Sequence, residues 1–132
     1  MMKRYIFITM ILFMTSSVLY AGDVMTKNAD GTYIINTASL CSAKGYRGTT
    51  PLEVHIKKGA VVKVVVLKNN ETVPYFERIK KHLLPLYEGK KINKAKKLSQ
   101  ETKIDGCTGA TYSTKAVQKN IRAALEYYEK RK

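Results

Sequence analysis

The sequence is poor in cysteine and in acidic residues. It has two cysteines, and 10 aspartates and glutamates against 24 lysines and arginines, in 132 residues. Two cysteines are too few for a small domain held together by disulfides. A chain of this length is expected to form one domain, which excludes a multidomain enzyme. The 45% of hydrophobic residues and the nine tyrosines exclude wholesale disorder.

A hydrophobic run long enough to cross a membrane is also missing. The longest apolar stretch, residues 5–14, has about ten residues, whereas a spanning helix needs about twenty. Lys3 and Arg4 precede this stretch, and small and polar residues follow it up to Ala21, which is the layout of a secretory signal peptide. We therefore predict a signal peptide over residues 1–21 and a periplasmic location. An uncleaved segment that anchors the protein is the alternative.

Familiar motifs for metal binding and catalysis are absent. His55 and His82 have no partner at HxxxH or CxxC spacing, and the phosphate-loop spacing does not occur. We predict no metal site and assign no catalytic residue, although a pair of Cys107 with a histidine stays open. The sequence also leaves open a disulfide between Cys41 and Cys107, because it carries no information on their Cα separation.

Hydrophobic periodicity predicts an α+β fold with a small antiparallel sheet. Residues 22–30 are polar and are predicted to be a flexible leader. Residues 52–67 predict a central β-hairpin in which Gly59 takes positive φ at the turn. Its second strand, from Val61, is almost entirely β-branched, so we expect it to be buried on both faces and central in the sheet.

Two or three helices are predicted to pack against this sheet. A helical pattern begins at Pro74 and must end or kink near Pro85. The clearest helix is the last, at about 113–130, with an apolar stripe on one face and Ser113 or Thr114 as its N-cap.

Residues 105–111, with the sequence DGCTGAT, lead into this last helix. They resemble the flavinylation motif of the FMN-binding domain family: Asp, two variable residues, Ser or Thr, Gly, Ala, and a final Ser or Thr. The best-known relatives are the membrane-peripheral FMN subunits of Rnf complexes and of the sodium-pumping NADH:quinone reductase. In that family a flavin transferase that uses FAD esterifies the final residue to the phosphate of FMN. The resemblance implies covalent FMN on Thr111.

The resemblance covers about residues 30–130 and implies an FMN-binding domain over 31–132. Further counterparts of family segments are DGTY at 30–33, GYRG at 45–48, the hairpin, and ETVPY at 71–75. In the last of these the usual glycine after proline is missing and Val73 is inserted, which leaves the shape of the flavin-ring pocket open. Cys107 is uncommon within the motif and implies a thiol beside the cofactor.

The cofactor-binding residues implied by the resemblance come from three segments. They are Thr111, Asp105, Thr108, Gly109 and Ala110 of the motif, Gly45, Tyr46 and Gly48 of the turn, and Glu71 and Thr72. Small side chains before Thr111 leave its hydroxyl accessible, and the helix start favours a phosphate. An aspartate would repel that phosphate and is therefore not expected to bind it. The resemblance implies instead that the flavin transferase recognises Asp105. Without the resemblance, the same residues are turn glycines, a core tyrosine and polar caps.

The resemblance implies an extracytoplasmic electron carrier rather than a stand-alone enzyme. Its partners would be the flavin transferase and membrane or extracytoplasmic redox partners. Two other classes stay open. One is an extracytoplasmic flavin-dependent reductase with its own substrate, and the other is a cofactor-free cationic module that binds anionic surfaces.

The positive charge is concentrated in one part of the chain. The formal net charge is +14, and removal of Lys3 and Arg4 with the signal peptide leaves +12. Nine basic residues lie between Arg78 and Lys103, where there are only two acidic residues. Export argues against nucleic acid as the partner. The basic segment is typical of a docking face for an acidic redox partner or an anionic membrane surface.

Overall fold

The computed structural model describes residues 24–45, 47–71, 73–107 and 110–131, and these form an α+β fold, as predicted. The sheet is antiparallel with its four strands in sequence order: β1 (Met25–Lys27), β2 (Tyr33–Asn36), β3 (Leu52–Lys57) and β4 (Ala60–Val66). The helices of the described residues are α1 (Val73–His82), α2 (Leu84–Tyr87), α3 (Ile92–Leu98) and α4 (Thr111–Arg131). The predicted signal peptide lies outside the described residues.

The predicted hairpin is confirmed as β3 and β4. Lys57 pairs with Ala60, so the loop has two residues, Lys58 and Gly59, with φ values of 54° and 76°. Positive φ at both positions matches the twist of the two strands, which is why such short hairpin loops favour glycine.

The prediction that β4 is a central strand is wrong, because β4 lies at the edge of the sheet and β3 lies between it and β2. Val62 is 45% exposed. The free edge of β4 is partly covered by a later segment: Gly89 donates to the Val61 carbonyl and Val61 donates to the Lys90 carbonyl, each at 2.8 Å. Helix α2 also packs against β4. A protected edge strand therefore carries the β-branched run expected of an interior one.

The sheet begins earlier than predicted. Met25–Lys27 lies within the predicted leader 22–30, yet these residues form β1 and pair with β2. The backbone carbonyls and amides of β1 extend the hydrogen bonding of the sheet. Such backbone pairing does not require alternating hydrophobic residues, so it leaves little signal in the sequence.

Helix α1 begins at Val73, with Pro74 in its first turn, and ends at His82. Pro85 lies in the first turn of α2, so the predicted break is confirmed. Helix α4 begins at Thr111, two residues before the predicted start, and ends at Arg131. Ser113 and Thr114 are therefore buried residues of its first turn and not its N-cap.

The core lies between one face of the sheet and the helices. Alternate residues of β3, Leu52, Val54 and Ile56, are fully buried. They pack with the apolar stripe of α4, which includes Val117, Ile121 and Leu125. Helix α4, the longest, therefore lies against the centre of the sheet, and its N-terminus is held at a defined position relative to the loops. No helix in the described part of the chain combines the length and apolarity needed to span a membrane.

Candidate functional site

Thr111 is the first residue of α4, and it is exposed. It opens onto a cleft of about 530 Å³. The cleft is lined by Thr102, Lys103, Ile104, Asp105, Gly106, Cys107, Thr111, Thr114, Lys115 and Gln118. Small-molecule sites have volumes of roughly 300–1,000 Å³. The predicted attachment residue therefore presents an accessible hydroxyl beside a space that is large enough for a ligand.

The start of α4 favours an anion at this position. The Thr114 amide donates to the Ala110 carbonyl at 2.9 Å, which makes Ala110 the residue that precedes the first helical turn. Its methyl side chain has no acceptor to cap the first amides of the helix. Lys103 and Lys115 line the same cleft, and Lys115 follows Thr111 by one turn on the same face. The helix dipole and these two cations together favour a phosphate next to Thr111.

The predicted motif residue Asp105 also lies in this cleft, in the turn that precedes α4. Gly106 follows it with φ of 87°, a conformation that L side chains rarely adopt. A Cβ at Gly106 would lie 2.3 Å from Cγ of His82, at the end of α1. The Asp-Gly turn is thus packed directly on α1, and Asp105 is left exposed at the edge of the cleft.

A second group of predicted residues meets on the other side of the α4 start. Glu71 is 8% exposed. Its carboxylate accepts a hydrogen bond from the Ser113 hydroxyl and another, at 2.6 Å, from the Arg47 amide. A Cβ at Gly45 would lie 2.5 Å from Glu71 Oε1 and 3.0 Å from Ser113 Cα. The turn at 45–48, the segment before α1 and the first turn of α4 are therefore in direct contact.

The structure thus divides the predicted site residues into two neighbouring groups. Asp105 and Thr111 line the cleft, with Ala110 buried at the helix start. Gly45 and Glu71 converge on Ser113, and Gly48 closes the turn by accepting from the Gly45 amide at 2.7 Å. The remaining four, Tyr46, Thr72, Thr108 and Gly109, lie outside the described residues.

Three residues of the site do not stand out in the sequence alone. Ser113 is a partner of the Glu71 carboxylate instead of a helix cap, Gly106 packs on His82, and Lys103 lines the cleft from a separate segment. Helical spacing supplies a signal for Ser113, which lies four residues before the buried Val117 and so on the core face of α4. The other two contacts join segments that only the fold brings together.

Cys107 is buried behind the cleft, with 5% of its surface exposed. Burial raises the pKa of its thiol, and the nearby Thr114 hydroxyl and the Arg78 charge oppose that shift. The thiol points to the Arg78 carbonyl oxygen, 3.9 Å away. Both cysteines are free thiols in the structure. A buried protonated thiol is a poor nucleophile, which favours a packing role for Cys107.

Among the described residues, no group of three or more histidine, cysteine, aspartate or glutamate side chains is placed to hold a metal ion. His55 instead lies 3.3 Å from Glu53 on the same strand.

A profile of the FMN-binding domain matches residues 45–126. This match covers more than half of the chain and includes both the turn at 45–48 and the start of α4. The chain belongs to the FMN-binding domain family. It is therefore a flavin-binding domain. No curated protein and no solved structure matches the chain.

The residues at the cleft fit the phosphate end of FMN. An esterified phosphate would lie next to Thr111, at the helix start and within the cleft that Lys103 and Lys115 line. The cleft also contains apolar surface from Ile104, along with the buried Cys107. Asp105 is the acidic residue among its lining, and its exposure allows it to turn away from an anion.

Proposed function

We propose that this protein carries FMN on Thr111 through a phosphoester and transfers electrons outside the cytoplasm. Family membership supports the flavin and the electron-transfer role. The observation that carries the attachment site is the exposed Thr111 hydroxyl at the start of α4, inside the cleft. The attached FMN supplies the redox chemistry, while the protein supplies attachment, orientation and environment.

Attachment needs FAD and a flavin transferase. The Thr111 oxygen forms a bond to the flavin-side phosphorus of FAD, the pyrophosphate bond breaks, and AMP is released. The proton of the hydroxyl goes to a base of the transferase, and no electrons are transferred in this step. Lys103 and Lys115 stabilise the anionic product, and Asp105, exposed at the edge of the cleft, is available for recognition by the transferase.

The layout of residues 1–21, which is that of a signal peptide, supports the proposed extracytoplasmic location. A covalent bond suits this location, because a cofactor that dissociates outside the cell is lost by dilution. Mass spectrometry of protein recovered from the periplasm tests both points, since it measures the mature N-terminus and the adduct together.

The test of the site compares two threonines of the same cleft. Coexpression with a flavin transferase is expected to add the mass of one FMN less one water and to give in-gel fluorescence after denaturation. Thr111→Ala should lose both signals. Thr102→Ala removes another exposed hydroxyl from the cleft and should keep them. A Thr111→Ala protein that still carried the adduct would contradict the assignment.

The partners that we propose are acidic redox proteins that dock on the basic part of the surface. Lys91, Lys94 and Lys97 are exposed on and next to α3. Lys103 lines the cleft, so the basic surface extends as far as the proposed attachment site. A positive field around a redox site attracts an acidic partner and raises the rate of encounter. An anionic membrane surface is the alternative ligand of the same lysines.

A further inference from the structure

Glu71 is the one carboxylate among the described residues that is almost fully buried at the start of α4. It follows β4 and precedes α1, and its own amide donates to Asn69 Oδ1 at 3.0 Å. Its carboxylate is bound from two sides, by the Ser113 hydroxyl and by the Arg47 amide. Ser113 is 42 residues away in sequence. Glu71 therefore bonds to two segments that are distant from each other in sequence, the turn at 45–48 and the first turn of α4.

A carboxylate is buried at a cost unless it is hydrogen-bonded as an anion. Here a hydroxyl and a backbone amide bind its two oxygens, and the positive end of the α4 dipole lies next to it. Such charge-assisted bonds are short and directional. They consequently set the distance and orientation between the turn at 45–48 and the first turn of α4 more tightly than apolar packing does.

Gly45 shows how closely these parts fit. A side chain at this position would overlap both the Glu71 carboxylate and the Ser113 backbone. The turn therefore rests on the hydrogen-bonded pair itself, with no layer of side chains between them. Any movement of the Glu71 carboxylate is transmitted to the turn on one side and to α4 on the other.

We propose that Glu71 is a positioning residue that acts through Ser113 to orient Thr111 and the flavin attached there. Ser113 and Thr111 are two residues apart in the first turn of α4, so the bond to Glu71 sets how the Thr111 hydroxyl is presented to the cleft. This inference rests on the proposed function. It adds that the environment of the flavin is controlled by a carboxylate on the far side of the helix start.

Two substitutions separate the effect of the hydrogen bond between Ser113 and Glu71 from the effect of the negative charge of Glu71. Ser113→Ala removes the donor and keeps the carboxylate. Glu71→Gln removes the charge but retains the shape, and its amide can still bond to both Arg47 and Ser113 because a serine hydroxyl also accepts. Ser99→Ala is the matched control, since Ser99 is also buried and loses a bond of 2.9 Å, to Tyr87, away from Glu71.

The rate of FMN transfer from FAD is measured by intact mass, well below the Tm of every variant. Loss of one hydrogen bond to a charged group corresponds to roughly a tenfold to hundredfold change. Ser113→Ala should slow transfer by this factor, and Ser99→Ala should not, even if both lower the Tm equally. Ser113→Thr, which restores a hydroxyl, should recover the rate if the added methyl group fits, and its Tm shows whether it does.

The second readout is made on protein that is fully flavinylated after long incubation. The visible circular dichroism and fluorescence anisotropy of the flavin report its orientation and freedom, and stability alone does not alter them. Both should change in Ser113→Ala and stay at wild-type values in Ser99→Ala, while Glu71→Gln should shift the midpoint potential. A wild-type transfer rate and wild-type flavin spectra in Ser113→Ala, together with a wild-type midpoint potential in Glu71→Gln, would overturn the inference. Absence of any adduct on the wild-type protein would instead overturn the proposed function.

Discussion

The imidazole ring of His82 lies directly against Gly106, so that a Cβ on Gly106 would be 2.3 Å from its Cγ. This contact joins the end of α1 to the Asp-Gly turn before α4. It places Asp105 at the cleft and leaves no room for a side chain at the next position. The packing of α1 thus determines the path by which the motif enters α4.

Gly106→Ala is therefore expected to destabilise the protein through two effects. Positive φ costs a residue with a Cβ about 1–2 kcal/mol, and the overlap with His82 adds about 1–3 kcal/mol. Gly89→Ala is the matched control, because Gly89 has φ of 83° and a Cβ added there would meet no atom within 4 Å. Urea unfolding should show a larger loss for Gly106→Ala than for Gly89→Ala. Equal losses would mean that the contact with His82 is easily relieved.

Because the pKa of Tyr87 is raised, we expect the free energy of unfolding to fall at alkaline pH. Burial raises the pKa of its phenol from 10.0 to about 12, against the opposing hydrogen bond with Ser99. The folded state thus holds the phenolic proton more tightly than the unfolded state does, and this stabilisation is complete below pH 10 and is lost as the pH rises to about 12. The difference amounts to about 3 kcal/mol.

Tyr87→Phe isolates this contribution from the titration of the lysines. The variant loses about 1 kcal/mol at neutral pH with the hydrogen bond to Ser99. Between pH 10 and 12 the wild-type protein should lose more free energy of unfolding than the variant does. Parallel curves for the two proteins over that interval would show that Tyr87 does not contribute.

The basic surface predicts a salt-dependent rate of electron transfer. Replacement of Lys91, Lys94 and Lys97 by glutamine should lower the rate constant with an acidic redox partner several-fold at low ionic strength. The effect should disappear near 1 M salt, where the screening length is about 3 Å. Replacement of Lys58, Lys63 and Lys68, which are also exposed, changes the net charge equally and is the control.

Stopped-flow oxidation of the flavinylated protein measures this rate. If both triple variants slow the reaction equally, only the net charge matters. If neither variant slows it at low salt, the lysines serve solubility and the docking proposal fails. Binding of the protein to anionic vesicles is measured for the wild type and both variants. If only the replacement of Lys91, Lys94 and Lys97 weakens this binding, the ligand of the surface is the membrane.

Cys107 should be protected from thiol reagents in the folded protein. Burial raises its pKa, so little thiolate is present at neutral pH. Cys41 is partly exposed and is expected to react first. A Cys41→Ser variant should therefore show almost no labelling until it unfolds. Rapid labelling of Cys107 in that variant near pH 7 would contradict the burial and revive a redox role for the thiol.

Local features of the fold were predictable because local chemistry determines them. The turn at Lys58 and Gly59 depends on positive φ. The break at Pro85 depends on the missing proline amide, and the apolar stripe of α4 depends on helical spacing. The edge position of β4 was not predictable. A β-branched strand can lie at this edge because Gly89 and Lys90, which come two helices later in the chain, bond to Val61 and cover it. Strand β1 was missed because a three-residue pairing needs no pattern.

The sequence by itself indicated the family and the residue that we propose for attachment, because the residues of the motif are consecutive in 105–111 and place small neighbours before a threonine. The tertiary structure alone decided what surrounds that residue. Lys103 shares the cleft with Thr111, and Glu71 bonds to Ser113 across 42 residues. A buried carboxylate takes whichever donors the packed elements bring to it, so its partners emerge only when the sheet, α1 and α4 are together.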